Sequence, residues 1–326
     1  MFAAFAPIWM ITALGWGTMR FGVLTRATQQ ALANFTFVIA IPCVLFTSLV
    51  KVPLGDLPLR PLAAIAASTL LIGLSVYFVA RRLMPGPDGD RVIAAMASAY
   101  LNAGNLGVPV AVYVLDDVSL IMAVLVFQTM LLTPLIVGRL DASAHRADVD
   151  RRAAETADGA AGPADGTVSR WRRLAMLPLR TPVILGSMAG VVASAAGWLP
   201  PEWLLRPLEL LGGAAVPAAL FALGMSLHQS GASSWRLPGR EVTVAVLLKV
   251  VAQPVAAYLI GRYLLDLDGA ALLAVTLVAG LPTAQNTFVY ASEFRASTAL
   301  SRDAILFSSL LSMGTLTLIL WLLGPA

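Results

Sequence analysis

Stretches of about twenty uncharged, mainly apolar residues recur along this chain, and each is long enough to cross a bilayer as a helix. They cover 1–19, 27–50, 61–80, 92–115, 118–138, 181–201, 210–235, 269–292 and 304–326, and 242–261 qualifies except for Lys249. The breaks between them carry Arg, Asp, Pro and Gly, the residues that end helices at a water interface. The pattern predicts an all-α integral membrane protein of ten transmembrane helices. Residues 1–19 lack a basic leader and a small-residue cleavage site, so they are expected to stay as the first span.

Two spans depart from the rest. The fourth contains Asn102-Ala103-Gly104-Asn105-Leu106-Gly107-Val108-Pro109, and the ninth contains Gly280-Leu281-Pro282-Thr283-Ala284-Gln285-Asn286-Thr287. Glycine weakens a helix and proline removes a backbone donor that lipid cannot replace. Such segments are expected only where protein buries them or where they line a polar cavity.

The two halves also echo each other. At an offset of 175, Pro7, Gly15, Gly22 and Leu24 meet Pro182, Gly190, Gly197 and Leu199. The same offset sets Pro42, Leu45 and Phe46 on Pro217, Leu220 and Phe221. At an offset of 181, Tyr77–Leu83 answers Tyr258–Leu264. The expected domains are a first five-helix repeat over 1–138, a flexible linker over 139–180 and a second repeat over 181–326. Five spans per copy is an odd number, so the second copy must insert upside down. Inverted repeats with broken helices 4 and 9 in corresponding positions point to a secondary transporter whose site lies at the repeat interface.

Composition narrows the classes. The chain has 326 residues, 58% hydrophobic and 12% charged, about half the charge of an ordinary soluble domain. A water-soluble globule and a disordered chain are both excluded. Its net charge of +4 is no nucleic-acid footprint. Of the 22 lysines and arginines, 17 fall in the odd-numbered loops and four in the even-numbered ones, with Lys249 inside a span. The excess of positive charge marks the cytoplasmic side, so both termini are expected outside and the chain in the inner (plasma) membrane. The segment 139–180 is rich in Ala, Asp and Gly, and reads as a tether ending in an interfacial anchor at Arg170-Trp171-Arg172-Arg173. Cys43 is the single cysteine, so no intrachain disulfide is possible.

The chemistry offered within the spans is uncharged. Asn102, Asn105, Gln285 and Asn286 supply amide donors and acceptors, and Gly104, Gly107, Pro109 and Pro282 free backbone groups at the helix breaks. Freed N–H groups at half-helix N-termini favour an anion, and freed carbonyls suit a cation such as Na⁺. Lys249 is an ionisable group inside a span, placed either to meet an anionic substrate or to reach back to the headgroups. Glu209 and Glu293 fall near span ends. No Asp or Glu lies at mid-membrane, so a carboxylate proton relay is not supported; Na⁺ or H⁺ coupling is left open. No metal or organic cofactor is implied.

With those residues in view, "NAGNLGVP" (102–109) and "GLPTAQNTFVYASEF" (280–294) resemble the auxin efflux carrier family, which includes plant PIN-type auxin carriers and bacterial malonate and malate permeases. Asn102, Gly107 and Pro109 match the first family phrase; Leu281, Pro282, Phe288, Val289, Ala291 and Glu293 match the second. The resemblance covers the whole chain. It implies an elevator-like carrier of small organic anions, with spans 1, 2, 6 and 7 as scaffold and spans 3–5 and 8–10 as the moving unit. Two departures stand out: Leu101 replaces a family proline, and the central loop is short. The expected partners are a small organic anion and the lipid bilayer, with no nucleic acid and a homodimer left open.

The rival within transporters is a sodium-coupled symporter of the bile-acid type, which shares ten spans with crossing helices 4 and 9. A membrane enzyme is disfavoured, because serine chemistry needs a positioned base and His145 and His228 both fall in or beside loops. A receptor or channel gives no reason for paired broken helices.

Overall fold

Charged breaks and apolar runs resolve into helices in the computed structural model, which describes residues 2–51, 58–83, 85–107, 110–115, 117–157, 182–229 and 238–324. In chain order these are α1 (Phe2–Arg20), α2 (Arg26–Leu49), α3 (Leu59–Leu83), α4 (Asp88–Ala99), α5 (from Ser119), α6 (Pro182–Ala195), α7 (Glu202–Ser226), α8 (Arg240–Leu264), α9 (Gly269–Ala279), α10 (Asn286–Glu293) and α11 (Thr298–Leu323). No strand forms among the described residues. Among the described residues, six helices are long and apolar enough to cross a membrane, namely α2, α3, α5, α7, α8 and α11, while α6 and α9 are shorter apolar helices. The protein is therefore an all-helical, multi-pass membrane protein. Its outward side chains agree with that: Phe21, Leu83, Trp203, Tyr263 and Trp321 are all exposed.

The first part of the segment expected as a linker is helical. The helix that begins at Thr133 within α5 runs on through residue 139 to Ala157, with Leu140 and Ser143 buried. Alanine is the best helix former, and "DASAHRADVDRRAAETA" contains no Gly or Pro to stop it. The Arg170–Arg173 anchor lies outside the described residues.

Three helices widen just before an interior proline. The π-type turns are Thr36–Ala40 ahead of Pro42, Gln128–Leu132 ahead of Pro134 and Leu248–Ala252 ahead of Pro254. A proline cannot donate to the carbonyl four residues back, and its ring presses on that carbonyl. Widening the turn relieves the clash while the helix continues.

Packing divides the helices into two sets. In one, α1 lies along the second half of α7, and α6 lies along the second half of α2. In the other, α3, α4, α5, α8, α9 and α11 pack on one another. Lipid is as apolar as leucine, so helices associate by close fit, which small residues permit. A Cβ added at Gly15 of α1 would fall on the Phe221 carbonyl of α7, and one at Gly190 of α6 would come within 2.9 Å of the Phe46 carbonyl of α2. The two contacts carry the same sequence offset of 175 on both partners. Between the sets, the Phe37 ring of α2 meets Tyr290 and Phe294 edge-on, with centroids 5.7 and 5.8 Å apart.

Candidate functional site

Two chain segments stop being helical at the centre of the second set. α4 ends at Ala99 and α9 at Ala279, each leaving terminal carbonyls without intrahelical donors. The strands of backbone that follow run antiparallel and join at Leu101 and Thr283. Asn102 N–H donates to the Pro282 carbonyl (3.0 Å), and Ala284 N–H donates to the Tyr100 carbonyl (3.2 Å). Beyond the crossing, residues 103–107 turn back into a short helical segment, whose Leu106 and Gly107 N–H groups bond to the Asn102 carbonyl. On the other strand α10 begins at Asn286. Two helix C-termini and two helix starts thus meet at one point.

Burial there is nearly complete. Residues 99–103 and 275–285 are all buried, and the crossing divides two apolar clusters: Leu101 and Leu281 belong to one, Tyr100 and Ala284 to the other. Buried polar backbone must find partners, and neighbouring helices supply them. Thr283 Oγ1 donates to the Ala97 carbonyl (2.6 Å), and Ser308 Oγ of α11 accepts from Thr283 N–H (3.1 Å). Gln128 Nε2, from the wide turn of α5, donates to the Leu101 carbonyl (3.0 Å).

The most informative partners come from α8. Gln253 Nε2 donates to the Ala99 carbonyl and to Thr69 Oγ1, both at 3.0 Å. Lys249 Nζ donates to the Ala279 carbonyl at 3.0 Å. One face of α8 therefore holds the end of both broken helices, with donors four residues apart, about 6 Å along the axis. A cation at a helix C-terminus complements the carbonyl dipoles. Lys249 is 0% exposed, so it does not reach back to the headgroups in this arrangement, and no carboxylate pairs with it among the described residues.

The expected site residues distribute as follows. Asn102 is 2% exposed at the crossing, and its Nδ2 has no hydrogen-bond partner among the described residues. Gln285 is buried just before α10, and Asn286, the first residue of α10, is half-buried. Pro282 accepts the crossing bond, and Gly107 packs where a side chain would strike Ile121 and Leu281. Gly104 is exposed. The Asn105 side chain and Pro109 lie outside the described residues. Glu209 is not at the crossing: it pairs with Lys51 (2.6 Å) at the surface. Glu293 ends α10, half-buried.

Gln253, Gln128, Thr283 and Ser308 are absent from the expected set. A signal existed for two of them: Gln253 stands four residues after Lys249, one helical turn, and Gln128 is the single amide of its apolar run.

Residues 1–320 match the family described as "Membrane transport protein". The chain is 27% identical over 322 residues to a "Putative malonate transporter" of Rhizobium meliloti, covering 97% of this chain and 94% of that protein. It is 27% identical over 316 residues to an "Uncharacterized transporter" of Methanothermobacter thermautotrophicus, covering 95% and 94%. Over 146 residues it is 26% identical to "Auxin efflux carrier component 8" of Arabidopsis thaliana, covering 44% of this chain and 39% of that protein.

Proposed function

Because this chain belongs to the membrane transport protein family, that of the auxin efflux carriers, we propose that it is a secondary carrier of small carboxylate anions such as malonate or malate, working by elevator-like alternating access. The observation that carries the reading is Lys249: a buried ammonium with no carboxylate partner among the described residues, at the crossing of two broken helices. A desolvated cation is costly alone and favourable beside an anion. The unpartnered Asn102 amide adds a directed donor within the same crossing, and Asn286 stands at the start of α10, where helix dipoles favour negative charge. In this reading Asn102, Asn105, Gln285, Asn286 and Lys249 contact substrate, while Gly104, Gly107, Pro109 and Pro282 form the crossover.

The topology proposed is ten spans in two inverted repeats. Its support is the matched pair of glycine contacts, Gly15 on Phe221 and Gly190 on Phe46 at one offset, together with breaks at equivalent places in the two halves. The helix set α1, α2, α6 and α7 is the scaffold, and the set containing the crossing moves. The 17-to-4 distribution of basic residues over the loops supports termini outside the inner membrane.

Purified protein in liposomes should carry labelled malonate or malate. Asn102→Ala and Asn286→Ala should each cut that flux about tenfold, equivalent to about 1.4 kcal/mol, with expression intact. Folded protein that moves no organic anion sinks the reading; unchanged kinetics in both variants would place the site elsewhere. Strict dependence of uptake on Na⁺ would favour the bile-acid-type symporter instead, and a C-terminal reporter in the cytoplasm would overturn the topology.

A further inference from the structure

A second cluster of charge lies at the opposite end of α4 from the crossing. Eleven residues separate Asp88 from Ala99, so the two places are about 16 Å apart along that helix. There the last turn of α3, the 86–88 turn, the start of α4 and the far half of α5 border a half-open pocket of about 600 Å³. Four guanidinium groups line it, from Arg81, Arg91, Arg139 and Arg146, against one carboxylate, Asp88.

That carboxylate is already occupied. Asp88 accepts from Tyr77 OH (2.8 Å) and pairs with Arg139 (3.1 Å) and Arg91 (3.7 Å). The Arg139 guanidinium also lies 5.1 Å over the Tyr77 ring, so two of the four arginines are fixed by the fold. Arg81 and Arg146 are exposed and have no carboxylate partner among the described residues. The wall thus carries an excess of three positive charges, with two guanidinium forks uncommitted. Beside it on α3, Phe78 and Leu83 are 55% and 74% exposed, which puts the mouth of the cavity next to lipid-facing side chains.

The geometry points to a binding site for a phosphate-bearing anion in this cavity, separate from the crossing. Guanidinium forks match the paired oxygens of phosphate bidentately, and arginine is the residue best suited to recognising that group. The volume of about 600 Å³ admits a glycerophosphate unit with room to spare, and the neighbouring Phe78 and Leu83 give an attached acyl chain an apolar place to lie. Such a group has two sources, the headgroup of an anionic phospholipid or a soluble phosphate ester. Arg81 and Arg146 provide the discriminating contacts; Arg91, Arg139 and Asp88 hold the wall in shape. The site stands independently of the carrier reading, since binding is the readout.

The test uses the full chain in detergent and follows its thermal unfolding by tryptophan fluorescence. Short-chain phosphatidylglycerol, phosphatidylcholine of the same chain length, glycerol 3-phosphate and malonate are titrated separately. Ligand binding to the folded state stabilises it by RT ln(1 + [L]/Kd), so the rise of the midpoint with concentration yields the half-saturating concentration. Phosphatidylglycerol or glycerol 3-phosphate should stabilise the protein, and Arg81→Ala with Arg146→Ala should raise the half-saturating concentration at least about tenfold, the loss of about 1.4 kcal/mol. Stabilisation by phosphatidylglycerol alone assigns the site to a lipid headgroup, and stabilisation by both assigns it to the phosphate group itself. Arg81→Lys with Arg146→Lys, which keeps charge but loses the forks, should weaken binding about threefold. The inference is overturned by no stabilisation from either phosphate, by an equal effect of phosphatidylcholine or malonate, or by unchanged half-saturation in both double variants.

Discussion

The helix pairs α1/α7 and α2/α6 are held by shape, whereas the crossing is held by directed hydrogen bonds. In the first region glycines let one backbone rest on another, and no side-chain bond is needed where Gly15 meets Phe221 or Gly190 meets Phe46. In the second, four carbonyls around the crossing each have a side-chain donor: Gln253 for Ala99, Lys249 for Ala279, Gln128 for Leu101 and Thr283 for Ala97. The difference teaches where each region is vulnerable. A shape-held contact fails when volume is added; a polar one fails when a donor is taken away.

Gly224→Val should break the first region most severely, because its Cβ falls on the Thr12 carbonyl of α1 and main chain cannot step aside. The cost is expected at about 3 kcal/mol or more, read as loss of the monodisperse peak in size-exclusion chromatography. Gly104→Ala, at an exposed position of the crossing segment, should leave that peak unchanged.

Next in size comes Lys249→Met, which keeps volume and removes the buried cation. Loss of the bond to Ala279 is offset by relief of a desolvated charge, so the unfolding midpoint should move little. Anion flux in liposomes should fall tenfold or more, a loss of at least about 1.4 kcal/mol. A variant that transports normally would reduce Lys249 to a helix cap. Gln253→Leu removes a neutral donor from the matching place on α4. It should cost about 1–2 kcal/mol in stability, seen in thermal unfolding, with a flux loss smaller than that of Lys249→Met. If the two variants lose flux equally, the charge itself is not what matters. Gln128→Leu should be the mildest, near 1 kcal/mol in the same unfolding assay, since Leu101 keeps a second contact from Ala103 N–H.

Much of this was readable from residue order. Runs without charge located the helices because lipid excludes charge, and glycine with proline located the breaks because both weaken a helix. Asn102 and Pro282 followed from that logic, and the crossing joins them directly. The extension of α5 to Ala157 was hidden, because small and charged residues look like a tether while alanine in quantity favours helix. Gln253 was hidden for a different reason. An amide in an apolar span announces a polar need, but its acceptor, Ala99, is 154 positions away and no local pattern names it. The role of Lys249 was half legible: its intramembrane charge was plain, its partner was not.

The wide turns before Pro42, Pro134 and Pro254 have a consequence for how this chain tolerates insertions and deletions. A π-type turn carries one residue more than the helix around it requires. Removing a single residue from Leu248–Ala252 would let α8 close into ordinary helix at little cost in helicity. The residue lost is the one the wide turn had absorbed, so the helix on either side keeps its phase. If it is taken from between Lys249 and Gln253, the two donors stand three positions apart and still share a face. A deletion in the regular helix beside the turn has no such slack and rotates one side of α8 by about 100° against the other. Single-residue length changes are therefore expected to be tolerated within the wide turn and to break the site when they fall next to it.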